Sequence, residues 1–239
     1  MDIIKEIEGM FVNIEQLPYY SSLLKNEFTN QDTMRAQLQD LGRAVGCMGL
    51  RNIQIAKLKE EHANGCIQPN DFKRLHEAII DEDEQNERPS YFDIRLQIFT
   101  DKYPKDVLLS VDPLPEVKEA NKRFKALFTD RSLVEITAAV GSIEKWYVPV
   151  AAMLEKAYLM LGYTPRQVET YTLHKIADVE HSEIALDFVI KYANSREKKD
   201  AVLNVVKEGF ATTYLYDLAR QKAAKDKSRT FESYLWLLR

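Results

Sequence analysis

Apolar residues recur along most of this chain at the three- and four-residue intervals of a helix that buries one face. The strict alternation of a half-buried strand is nearly absent. Ile3, Ile4, Ile7, Met10 and Phe11 fall on one stripe, which Pro18 is expected to stop. Asn30 or Asp32 is placed to cap a long helix from about Thr33 to His62, closed by the Asn64-Gly65 pair. Asp71 opens the next helix, which runs through Leu75, Ile79 and Ile80 into the acidic run Asp81-Glu82-Asp83-Glu84 until the Asn-Glu-Arg-Pro stretch at 86–89 breaks it. A helix resumes near Tyr91, through Phe92, Leu96 and Phe99. Pro104, Pro113 and Pro115 then mark 101–115 as loop, with a short helix following to about Phe128. Ser132 to Leu161 reads as one long helix bent at Pro149, Pro165 starts another to about Tyr192, and Glu197 to Lys222 forms a further one. Phe231 to Leu238 adds an amphipathic turn or two. The pattern predicts a single all-α domain over 1–239, a bundle of several long helices.

Composition fits that picture and narrows the function. The 239 residues are 45% hydrophobic and 29% charged, as in an ordinary globular protein, and 33 Lys+Arg against 37 Asp+Glu leave a net charge of −4. Mild acidity argues against a nucleic-acid backbone binder. Two cysteines, Cys47 and Cys66, make no disulfide framework, so a reducing cytoplasm is the expected compartment. The N-terminus carries charges where a secretory signal needs an apolar run, and stretches such as Val148 to Leu154 fall far short of the roughly 20 residues of a membrane span.

Candidate chemistry concentrates in His174-Lys-Ile-Ala-Asp178-Val-Glu-His181, which holds two of the chain's four histidines. On a helix, positions i, i+4 and i+7 share a face, so His174, Asp178 and His181 project together. Imidazole and carboxylate on one face suit iron or manganese. An exposed polar stripe is the alternative. The interleaved Ile176, Ala177, Val179, Ile184 and Ala185 favour burial, where such groups need partners. A dimetal centre requires further carboxylates from neighbouring helices. Glu144 sits mid-helix among small and apolar residues, where a buried carboxylate calls for a metal or another cation; pairing with Lys145 or a surface lysine is the plainer option. Glu82 lies in the acidic run, and spacing does not separate it from Glu84. Glu-x-x-His, His-Glu-x-x-His, Walker-type and dinucleotide glycine motifs are all absent, and no nucleophile-elbow glycines mark a hydrolase.

These blocks resemble the haem-oxygenase-like dimetal oxidases (the TenA/PqqC/CADD-like helical bundle), and most closely the CADD family, which includes self-sacrificing p-aminobenzoate synthases. The strongest match is the His-x-x-x-Asp-x-x-His helix itself, down to its central Ala-Asp-Val. Ile143-Glu144 ahead of Val148-Pro149 is similar to the family's Glu before an Ile/Val-Pro pair, and Asp81-Glu82-Asp83 with Ser90-Tyr91-Phe92-Asp93-Ile94 resembles a third block. The resemblance covers about 20–190. It implies that Glu82, Glu144 and His174 hold one metal while Asp178 and His181 contribute to a second. Iron, or iron with manganese, would be the cofactor and O₂ the cosubstrate. The family's sixth ligand is His, and Tyr91 stands there instead, with Glu84, Glu87 and Asp93 as nearby substitutes. A neutral tyrosine, with a pKa of about 10, is a poor ligand. Tyr20 occupies the place of the family's consumed tyrosine, and Lys156 resembles its proposed amino donor. Tyr91, if it lies on the metal, is a further oxidation target. A packing role is the plain reading of Tyr20.

The function implied is an O₂-dependent oxidase or oxygenase. It would act on a small amino-acid-like or aliphatic metabolite, or on its own side chain to form p-aminobenzoate, in a cytoplasmic homodimer without nucleic-acid or membrane partners. Two alternatives stand beside it. One is a TenA-type hydrolase with Cys47 as nucleophile; the other is a non-catalytic helical interaction protein with a degenerate metal site.

Overall fold

The structure is a computed structural model that describes residues 3–81, 91–99 and 102–238. Among the described residues there is no strand, and a lone antiparallel bridge joins Val111 to Leu235. Eleven α-helices are described: α1 Ile3–Glu8, α2 Pro18–Leu24, α3 Asn30–Gly46, α4 Leu50–Ala63, α5 Pro69–Ile80, α6 Tyr91–Leu96, α7 Lys105–Leu109, α8 Pro115–Asp130, α9 Leu133–Met160, α10 Glu169–Tyr192 and α11 Arg196–Lys225. Short 3₁₀ turns at Glu232–Tyr234 and Trp236–Leu238 follow. No helix of the described residues is long and apolar enough to cross a membrane.

Three boundaries depart from the sequence expectation, each for a local reason. Pro18 begins α2 instead of ending a longer helix, because proline at a first-turn position costs no hydrogen bond. Thr29, not Asn30 or Asp32, is the N-cap of α3. Its hydroxyl accepts from the Asp32 amide while Asp32 reaches back to the Thr29 N–H in a reciprocal capping box. The expected Thr33–His62 helix is two helices, since Gly49 adopts φ +81°, a left-handed conformation that redirects the chain into α4. The expectation for α9 holds, and two further ones are corrected. Ser132 and Glu135 cap α9, which continues through Pro149 to Met160. α10 starts at Glu169, four residues beyond Pro165, and the expected loop at 101–115 contains the short α7.

α9 and α10 make the most extensive helix pair, and α11 lies across α3, α8 and α9. The α9–α10 approach is set at Gly141, where an added Cβ would stand 2.4 Å from the Ala185 Cβ. Gly141 is one turn before Glu144, and Ala185 one turn after His181, so this contact fixes how the two chemistry-bearing helices face each other. The core above it is rich in tyrosine. Tyr19 and Tyr158 hydroxyls lie 2.8 Å apart, Gln37 donates to Tyr158, and Tyr171 donates to the Gln37 carbonyl at 3.0 Å, so all three of these buried phenols are hydrogen-bonded.

Because overpacked helix contacts cost about 1–3 kcal/mol, Gly141→Val is expected to lower unfolding stability by at least that much. Denaturant titration of the variant against wild type measures it; an unchanged midpoint would show that the two helices separate freely at this point.

Candidate metal centre

The polar interior is organised around α11. Arg220 is buried, pairs with the Asp40 carboxylate of α3 and donates to the Tyr20 hydroxyl at 2.9 Å. Burial alone would push the Asp40 carboxyl up, but Arg220, with Arg43 and Arg95 nearby, holds it below the ordinary carboxylate value. Asp217, one turn earlier on α11, is also buried and accepts from the Tyr19 amide at 3.1 Å. Burial pushes its carboxyl up to about 6, against the pull of Arg220.

Beside this network lies a cavity of about 280 Å³. α9 contributes Glu144 and Tyr147, and α10 contributes His174 and Asp178, so two helices bring an imidazole and two carboxylates to one space. His174 is oriented from within its own helix. Its Nδ1 lies 2.6 Å from the Thr170 carbonyl, which sets Nδ1 as the donor in a neutral ring and leaves the lone pair on Nε2. The Tyr147 ring meets it edge to face at 5.7 Å. Glu144 has the cation that its buried position calls for, though neither Lys145 nor a surface lysine supplies it. Arg51, at the start of α4, approaches Glu144 Oε1 to 2.9 Å, while Lys145 pairs with Glu8 at 2.6 Å.

The remaining expected residues separate. His181 is buried but does not line the cavity; its Nε2 lies 3.3 Å from Asp81, at the end of α5. Glu82 and the side chain of Tyr91 lie outside the described residues, as do Glu84 and Glu87. Asp93 pairs with Lys105. Tyr20 lines the cavity and is also a packed core aromatic, with ring contacts to Tyr19 and Trp146. Lys156 is exposed on the outer side of α9 and is not part of the cavity wall. The apolar company expected around the histidines is also partly displaced. Ile176 and Val179 are 65% and 44% exposed, because steps of one or two residues swing a side chain 100–200° round the helix. Among the described residues, no three His, Cys, Asp or Glu side chains converge as a metal-ligand set. The donor types at Glu144, His174 and Asp178 nevertheless fit iron, as neutral imidazole with carboxylates.

Arg43, Arg51, Arg95, Arg220 and Asp40 escape sequence inspection, because helices far apart in the chain bring them together. Cys47 does line the cavity, 3.6 Å from the Asn121 carbonyl oxygen and 3.7 Å from the Tyr216 hydroxyl. Burial pushes its thiol above the ordinary value despite Arg43, the reverse of what an activated nucleophile needs.

Residues 38–214 match the family model described as an iron-containing redox enzyme. The chain belongs to that family. No curated protein matches this iron-containing redox enzyme family member in sequence. Among solved structures, it is similar to a domain of unknown function with a heme oxygenase-like fold from Shewanella denitrificans, at 14% identity and a TM-score of 0.72 over 93% of each chain. It is also similar to a CADD-like protein of unknown function from Nostoc punctiforme, at 15% identity and a TM-score of 0.68, covering 94% of this chain and 96% of the other. At such identities the likeness establishes the fold, which is heme oxygenase-like, as the sequence blocks imply.

The raised Asp217 carboxyl carries a pH signature. The folded protein keeps that proton up to about pH 6, whereas an unfolded Asp releases it near 4, so the folded state binds more protons between those values. Its contribution to stability therefore falls as pH rises through about 4 to 6 and stays lost above. Asp217→Asn is expected to gain stability over wild type across that window. Parallel wild-type and variant unfolding curves from pH 4 to 7 would refute this.

Proposed function

We propose that this protein is a non-haem iron oxidase or oxygenase in which Glu144 and His174, with Glu82, hold one iron while Asp178 and His181 contribute to a second. The observation that carries the reading is that Glu144, His174 and Asp178, from two packed helices, line the same cavity. Family membership supports iron in general terms.

Iron held there would supply the one-electron chemistry with O₂ that amino-acid side chains lack. The chain's own residues set the conditions. His174 offers Nε2 as a neutral ligand because Thr170 binds Nδ1. The Glu144 and Asp178 carboxylates offset cationic charge, and Arg51 must yield Glu144 for that carboxylate to serve as a ligand. Tyr147 packs against the His174 ring and restrains it. Tyr20 presents a phenol that burial keeps protonated and Arg220 keeps oriented. That makes Tyr20 the residue best placed to react if the protein consumes one of its own side chains in forming p-aminobenzoate. A lysine donor at 156 has less support, since that side chain is exposed.

The Arg51–Glu144 pair favours a second reading, in which a guanidinium has taken the metal's place and the helical scaffold serves binding alone. Metal stoichiometry after anaerobic ferrous loading separates the two. The oxidase reading expects about two irons per chain in the wild type, about one in His181→Ala, and essentially none in His174→Ala. Folded wild type that takes up no iron overturns it and leaves the scaffold reading.

A further inference from the structure

The cavity carries more positive charge than its acids use. Arg43, Arg51, Arg95 and Arg220 all line it. Two are committed: Arg220 to Asp40 and Tyr20, and Arg51 to Glu144. The other two are less fully engaged. Arg95, on α6, is only 8% exposed, yet its guanidinium makes no hydrogen bond or ion pair with any described residue. Arg43, half-buried, pairs with Asp40 at 3.8 Å through Nε and lies over the Tyr216 ring at 5.7 Å, but that Nε is shielded from solvent and has no hydrogen-bond acceptor. A buried guanidinium without an acceptor is costly, and its planar fork matches a carboxylate in two parallel bonds. The nearby lining includes Leu50, Phe124, Phe128, Val140 and Ile143, an apolar surface with no charge to match. A cavity of about 280 Å³ lies at the lower end of small-molecule sites, roughly 300–1,000 Å³.

We infer that the cavity binds a small organic monocarboxylate, with the carboxylate on Arg95 and Arg43 and an apolar body against the aromatic and aliphatic wall. The inference names a substrate class for the oxidase reading above and rests on that reading for its catalytic meaning, but binding itself requires no metal. A carboxylate placed this way answers the Arg95 guanidinium and the loosely paired Arg43, and the apolar wall selects against small hydrophilic anions. Inorganic phosphate shares the charge but lacks the body.

The test uses the whole protein, metal-free and again after ferrous loading. Octanoate and benzoate are titrated against octan-1-ol, benzyl alcohol and inorganic phosphate, following thermal midpoint and the fluorescence of Trp146, which lines the same cavity. Both carboxylates are expected to raise the midpoint and perturb the fluorescence of metal-free protein, more strongly than the matching alcohols or phosphate. Arg95→Met should weaken carboxylate binding by about ten- to a hundredfold while leaving alcohol binding in place. Arg43→Gln, at a more exposed position, should weaken it in the same sense and stands in should Arg95→Met fail to fold. The inference is overturned if neither carboxylate binds, if phosphate binds more tightly than both, or if folded Arg95→Met binds them as wild type does. Carboxylate binding in a protein that takes up no iron would sink the oxidase reading alone. Iron uptake without carboxylate binding would sink only this one.

Discussion

The buried pairing of Arg220 with Asp40 is the interaction on which the polar interior depends. A guanidinium and a carboxylate removed from water are each costly, and neither is tolerable without the other. Because one stands on α11 and the other on α3, their pairing holds together helices that begin more than 150 residues apart in the chain. It also orients Tyr20, since the same guanidinium donates to that hydroxyl and lies 5.5 Å from the centre of the ring. A core assembled only from leucine and valine would pack these helices as well, but it would leave no polar groups to shape a binding site.

Around that pair the fold divides its labour. The tyrosine cluster of Tyr19, Tyr158, Tyr163 and Tyr171 fills one region with large rings whose hydroxyls are hydrogen-bonded, so it is both densely packed and polar. The Gly141–Ala185 contact draws α9 and α10 together, and the cavity opens where larger side chains resume. Position along these two helices therefore decides chemistry. On α9 the cavity wall begins within a turn of the close contact, at Val140, Ile143 and Glu144, whereas on α10 it lies further back, at His174 and Asp178.

Much of this was legible in the sequence. The helical period, the start of α9 at Ser132 and the His174–Asp178 spacing are local features, and local physics sets them. The mid-helix position of Glu144 correctly implied a cationic partner, but not which one, because Arg51 approaches from a helix 93 positions away. His181 was legible as buried and not as separate from the cavity. The i+7 position drifts round the helix by roughly 20° relative to i, and the end of α5 supplies Asp81 to meet it. The arginines were the least visible feature. Arg43, Arg95 and Arg220 sit in ordinary-looking helical contexts, and nothing in their neighbours announces that three helices bring them to one cavity.

The Arg51–Glu144 pair gives the site a thermodynamic character of its own. A cation arriving at Glu144 meets a carboxylate already neutralised by a tethered guanidinium, so its binding is an ion exchange within the protein. The affinity of any cation there would be the difference between two ion pairs, not the strength of one, and the chain would set it as much through α4 as through α9 and α10.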